Sequence, residues 1–279
     1  MRTLRTMLPG AKVAIMALLL AGAALPAAAQ RADEGGVNVG RPSFARYLVS
    51  AEGIEKAAGQ QFVSLKSQAT GKRVLLPDSD EQTRRVRRIA KELLPFAEKW
   101  NPRAKDWTWE VIVIKAPTVN AFCMPGGKIA FFTGILDRLS LTDDEVAVVM
   151  GHEIAHALRE HARSRKAKTV LTQLSAVAVS LLLGEGYGQI AQQGGGLLTL
   201  RFSRGDEREA DLIGLELAAR AGYNPEAGVA LWQKMARAQK GAPPQWLSTH
   251  PSSEDRIARI RAALPKVAPL YDRARAGKG

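Results

Sequence analysis

Cys123 is the only cysteine in this chain of 279 residues. No intramolecular disulfide is available to it, and no zinc site built from several thiolates. Histidine is scarce too, with four in all, so any bound metal must sit on those few imidazoles or on Asp and Glu. No segment recurs with a period of about 20 to 50 residues, which excludes a solenoid or a propeller. Aromatic residues make up 6% of the chain, hydrophobic residues 46% and charged residues 24%. That balance excludes wholesale disorder and is enough for a sizeable core, and the length suits one principal domain. Acids are the minority charge, 27 against 40 Lys plus Arg, a formal +13. Such an excess raises nucleic acid, lipid head groups and acidic polymers as partners.

A long apolar run is missing as well. Arg2, Arg5 and Lys12 precede the apolar stretch Val13 to Leu25, followed by Pro26 and Ala27-Ala28-Ala29. The stretch is shorter than the ~20 residues that span a bilayer, and the small residues after it have the form of a cleavage site, so residues 1–29 read as a signal peptide for export. No cysteine stands directly after that point to carry a lipid anchor. Removal of the leader lowers the formal charge from +13 to +10. Little nucleic acid exists outside the cytoplasm, and no basic motif interleaved with aromatics is present, so no nucleic-acid partner is expected. The positive charge is read as peripheral attraction to an anionic membrane surface or as solubility.

Four segments are expected: the leader 1–29, a lead-in and N-terminal extension 30–78, a principal domain 79–265 and a short basic tail 266–279. Residues 31–45, rich in Gly, Arg and Asn without apolar period, read as a mobile lead-in. Ser79-Asp80-Glu81-Gln82 has capping-box form, and Val86, Ile89, Leu93 and Ala97 recur at helical spacing up to Trp100. Arg84, Arg85, Arg87, Arg88 and Lys91 lie largely off that stripe and read as a solvated face. Residues 107–114, 120–123 and 128–133 predict short strands, the last two joined by a turn at Pro125-Gly126-Gly127. Thr142 and Glu145 form a capping box that opens the next helix. Lys168 and Glu185 bracket an uncharged stretch read as a buried or lid helix ahead of a glycine-rich connector. Helices are expected from about Ser203 to Arg220, from Asn224-Pro225 onward, and from Pro251 to Leu264. The fold class is therefore α+β, mainly helical, with a small mixed sheet beside the helix that carries the chemistry.

That helix contains His152-Glu153-Ile154-Ala155-His156, the HExxH pattern of zinc peptidases. Positions i and i+4 return to within about 40° on a helix, so the two imidazoles can converge on one ion. Glu153 stands one step round, where a carboxylate suits a general base better than a ligand. A catalytic zinc site takes three protein ligands. On a continuous helix His161 faces away from the pair, and Arg159 and Ala162 stand where the HExxHxxGxxH pattern has Gly and His, so His161 reads as structural. The better source is Ser203 to Asp211, where Glu207 and Asp211 share a face at i, i+4 and repel unless a cation lies near. Glu207 becomes the third ligand and Asp211 the acceptor for a ligand imidazole N–H. Glu209 points elsewhere, toward solvent.

HEIAH at 152–156 followed by SRGDEREAD at 203–211 resembles the HtpX and CaaX-prenyl-protease clan of zinc endopeptidases. NAFCMPGG at 120–127 and STHP at 248–251 with Arg256 are similar to elements of its periplasmic branch, the BepA and LoiP type. The resemblance spans roughly residues 80–264. It implies a gluzincin peptidase domain holding one Zn²⁺ per chain on His152, His156 and Glu207, with Glu153 as catalytic base. Asn120, Ala121, Phe122, Cys123 and Met124 would form the edge on which an extended substrate pairs, since backbone pairing binds unfolded chains with little sequence preference. It further implies a periplasmic enzyme acting on unfolded or misassembled envelope proteins. A proteolytically silent binder of unfolded chains is the alternative. His250 has three readings: a resting-state ligand in the open zinc position, as the resemblance suggests, a donor to the oxyanion, or a cap for the following helix.

Overall fold

The computed structural model describes residues 35–171, 201–238, 244–250 and 255–277. The expected leader, most of the uncharged stretch, the glycine-rich connector and the start of the STHP helix at Pro251 lie outside these residues. The architecture is mainly helical with one small mixed sheet, as the residue pattern predicts.

The first helix, α1 (Ala51–Gly71), was not expected. Ser50 caps it by accepting from the Gly53 amide, and Ala58, Phe62 and Ala69 form its buried stripe. Small residues dominate that stripe, which leaves little apolar period to read. Asp80 caps α2 (Glu81–Leu93) by accepting from the Gln82 and Thr83 amides. Val86, Ile89 and Leu93 are fully buried as the period predicts, but the α-helix stops at Leu93 and continues as a 3₁₀ turn containing Pro95. The arginine run is not merely solvated. Arg85 and Arg88 both reach Asp143, and Arg87 donates to the Val111 carbonyl.

The sheet contains β1 (Glu110–Ile114), β2 (Ala121–Met124) and β3 (Lys128–Phe132) in the order β1-β3-β2. β1 runs parallel to β3, and β2 antiparallel to it, with Phe122 opposite Ala130. Among the described residues β2 therefore has one free edge. Side chains alternate cleanly between two cores. Val111, Val113, Ala121, Ile129 and Phe131 join the main core, while Ile112, Ile114, Met124 and Ala130 pack with the buried stripe of α1.

A short α3 (Thr133–Arg138) leads into α4 (Asp143–Leu158), which the Thr142–Glu145 capping box starts as expected. All its residues from Glu145 to Leu158 are buried, so the chain's central helix carries its polar His-Glu pair inside the core. Glu160 adopts a left-handed backbone, φ 54°. That residue breaks the helical path and starts α5 (161–171) in a new direction. Ser203 caps α6 (Arg204–Arg220) in a second capping box, with Asp206. α7 (Ala227–Ala238) and α8 (Gln245–Thr249) follow.

α4 and α6 pack backbone to backbone, and two glycines permit it. A Cβ on Gly151 would lie 2.7 Å from the Gly214 carbonyl oxygen, and one on Gly214 would lie 2.7 Å from the His152 amide nitrogen. Neither gap admits a methyl group. The last helix, α9 (Arg256–Ala276), runs well past the expected stop at Leu264. Pro265 and Pro269 remove backbone donors but do not end it, because Val267 and Leu270 stay buried against Ala219 of α6. The described part of the lead-in is also fixed. The Gly36 amide donates to the Lys266 carbonyl at 2.6 Å and the Val37 amide to Glu216 at 2.7 Å. Glu216, wholly buried, further pairs with Lys99 and Arg220.

Candidate metal centre

His152 and His156 lie one turn apart on α4, and the close α4–α6 contact presents Glu207 to both. His152 Nε2 and His156 Nε2 are 3.1 Å apart. Glu207 Oε2 lies 3.6 Å from the first, and its Oε1 lies 3.4 Å from the second. His250, at the end of α8, brings Nδ1 to 3.0 Å from Glu207 Oε1 and 3.2 Å from His152 Nε2. One donor atom from each of the four residues falls within 4.8 Å of every other, and all four are buried.

The donor set fits a metal ion. Around a tetrahedral zinc with bonds of about 2.0–2.1 Å, neighbouring donors sit about 3.3–3.4 Å apart, within the range seen here. His152 Nδ1 faces Asp211 Oδ1 at 3.1 Å. Donation to that carboxylate leaves the Nε2 lone pair of a neutral ring directed at the other donors. Lone pairs of buried imidazoles and a carboxylate cannot share so small a space without a proton or a cation between them.

Burial pushes the His156 imidazole well below its ordinary pKa, against the opposing pull of Glu207. The same burial raises the Glu207 carboxyl, but hydrogen bonds from His156 and His250 and the charge of the nearby rings outweigh it and hold Glu207 well below the usual carboxylate range. Both shifts favour the forms that ligate: a neutral imidazole and an ionised carboxylate.

Around the donors lies a polar shell that the residue pattern gave only in part. Arg256, 1% exposed, donates to Glu207 Oε2 at 2.8 Å and to Asp211 Oδ1 at 2.6 Å. Its guanidinium stacks on the Trp232 ring at 3.5 Å. A single cation thus bridges Glu207 and Asp211 of α6, and its place in the STHP element was the visible signal. His161 does not face away. The break at Glu160 turns it back, so that its Nδ1 lies 2.9 Å from His156 Nδ1. It is not among the four converging donors. Glu209 is likewise not directed to solvent: Arg159 donates to it at 2.6 Å, and His161 Nε2 lies 3.4 Å away. The His161 expectation assumed an unbroken helix through Arg159 and Glu160; Glu209 is held by Arg159 and His161, which the chain places beside it from the end of α4 and the start of α5.

Glu153 is buried beside the donors. Its Oε1 accepts from the Trp246 indole at 2.6 Å and lies 3.5 Å from His250 Nε2. Trp246 was missed from sequence, although its place four residues before His250 puts both on one face of α8. Its ring stacks on His250 at 4.9 Å, and its amide donates to the Val119 carbonyl at 3.0 Å. Nδ1 of His250 faces Glu207 and His152 and its Nε2 faces Glu153, while the helix start at Pro251 that the third reading has it cap lies outside the described residues. Glu153 also borders a cavity of about 260 Å³ that opens along Asn120 to Pro125 of the β2 segment. Burial, and secondarily the charge of Glu153, raises the Cys123 pKa, which keeps it a neutral thiol.

An HExxH helix joined through a buried helix pair to a downstream Glu defines this as a metallopeptidase-type centre. Residues 80–264 match the model of Peptidase family M48, and the chain belongs to that family. It is 36% identical over 200 residues to the mitochondrial metalloendopeptidase OMA1 of Schizosaccharomyces pombe, covering 69% of this chain and 56% of that one. It is 26% identical over 257 residues to the metalloprotease LoiP of Escherichia coli, covering 90% and 96%. A putative beta-barrel assembly-enhancing protease of Vibrio cholerae is 33% identical over 170 residues, covering 57% and 35%. The chain spans between about a third and just over half of the length of its OMA1 relatives. No helix among the described residues is long and apolar enough to cross a membrane.

Proposed function

We propose that the protein is a zinc-dependent endopeptidase of the periplasm that hydrolyses peptide bonds in unfolded or misassembled envelope proteins. The observation that carries this reading is the convergence of His152, His156 and Glu207 beside an unligated, oriented Glu153. His152, His156 and Glu207 would hold one zinc ion, and Asp211 would orient His152 through its Nδ1 proton. The chemistry zinc supplies there is Lewis acidity, which acidifies a water molecule and polarises a carbonyl. Glu153 takes the proton from the attacking water and delivers it to the leaving amine. Trp246 holds one oxygen of that carboxylate, which leaves the other free for the proton. The open edge of β2 supports binding of substrate as an added strand. Similarity to LoiP and the sequence of the leader support the compartment.

The decisive comparison is wild type against Glu153→Gln on unfolded casein, with and without a chelator. The variant should retain zinc while cleavage falls by about 10²–10⁴-fold, the share general base catalysis commonly supplies. Wild-type cleavage by the variant would refute the assigned base.

A second reading, a silent binder of unfolded chains, is favoured by one observation. His250 stands as a fourth donor where a catalytic site keeps an opening. His250→Ala separates the readings: raised cleavage marks His250 as a resting plug, and lost cleavage marks it as a donor to the oxyanion. Zinc binding without cleavage in both wild type and His250→Ala would support the silent binder.

A further inference from the structure

The cavity beside Glu153 is walled by more than the residues of the family match. Its lining includes Leu65 of α1, fifteen residues before that match begins, together with Phe122, Phe132 and Phe202. Leu65, Phe122 and Phe132 are half-buried and pack on the sheet face that α1 covers. Phe202 stands on the opposite side, stacked on His156 at 3.8 Å. The cavity therefore straddles the free edge of β2, with the catalytic residues on one face and an apolar wall on the other.

That arrangement dictates how an added strand would be read. The Phe132 amide donates to the Asn120 carbonyl, and Phe122 pairs with Ala130, so β2 turns the amide and carbonyl of Cys123 outward by antiparallel alternation. A peptide seated on those groups sends successive side chains to opposite faces. The face carrying Glu153 and His250 receives the scissile region. The neighbouring side chain falls on the face of Leu65, Phe122 and Phe132, where nothing charged lines the cavity and a large apolar group is desolvated best.

We propose that α1 is a specificity element: Leu65, with Phe122 and Phe132, selects a large apolar side chain adjacent to the cleaved bond. This rests on the peptidase reading above. Cleavage sites in unfolded casein, mapped by mass spectrometry and ranked by rate, test it. The wild type should favour Leu, Ile, Met or Phe over Ala, Ser or Asp at one fixed position next to the cut, by about tenfold or more. Leu65→Trp, which fills the wall, should shift that position toward small residues. Leu65→Asn, close in volume and polar, should erase the apolar preference. Both should bind zinc as the wild type does. Val63→Asn, on the exposed side of α1, is the control and should leave the preference intact. Thermal melts identify a Leu65 variant that fails to fold, and Phe132→Asn on the facing strand then replaces it with the same expectation. An unchanged preference in folded variants would overturn this proposal alone. No chelator-sensitive cleavage by either the wild type or His250→Ala would overturn the peptidase reading and this one with it.

Discussion

At the scale of single residues, the indole of Trp246 makes the most consequential contact that motif reading did not supply. The role proposed for Glu153, to accept and return a proton, needs a fixed orientation, and a neutral donor at 2.6 Å provides one without competing for the proton. Trp246→Phe removes that donor while keeping most of the ring that stacks on His250. It should lower kcat by about tenfold and leave KM and zinc affinity nearly unchanged, because the ligands keep their own partners. Equal losses in zinc affinity and kcat, measured by chelator competition and steady-state kinetics, would make Trp246 a packing residue only. The convergence of His152, His156 and Glu207 was legible because two motifs with fixed spacing carry these residues. His161 was misread for a definite reason: its direction depends on a left-handed residue, Glu160, and a glutamate gives no sign of such a turn.

Among the elements, the pair α4 and α6 sets the distance from the histidines to Glu207. Helices packed through large side chains sit about 8–10 Å apart. Here a glycine on each side removes the side chains at the crossing, so the Glu207 carboxylate reaches both imidazoles. Gly214→Ala would force a methyl group into 2.7 Å. The helices must then part, and zinc affinity should fall by at least about tenfold, with a melting temperature lowered for the metal-free protein as well. Affinity equal to wild type by chelator competition would show that the approach is not what assembles the site. The residue pattern indicates both helices and the Thr142–Glu145 capping box of α4, since period and caps are local signals; the Ser203–Asp206 box of α6 emerges only from the structure. It could not see that Gly151 and Gly214 meet, because one glycine in a helix carries no sign of its distant partner. α1 was missed because its buried stripe is largely alanine, and α9 was cut short because Pro265 reads as a stop where tertiary packing overrides it.

For the molecule as a whole, the centre is a place where the core is polar by necessity. The four converging donors, Arg256 and two further acids, Glu153 and Asp211, are buried together against the main core. Unpaired, such a cluster would cost several kcal/mol; the divalent ion proposed for the site, together with Arg256, would balance it. Sequence motifs disclosed the donors, and the α+β class followed from the order of helical and strand patterns. The α1 wall of the cleft and the strap of residues 36–37 on Glu216 belong to contacts across long separations, which composition and period do not encode. The most direct measurement is a crystal structure of the purified protein with anomalous data collected on both sides of the zinc edge. One zinc ion per chain, within about 2.0–2.2 Å of His152, His156 and Glu207, is the predicted result. Glu207 turned away from a metal held by other residues, or no metal at all in protein purified without chelator, would contradict it.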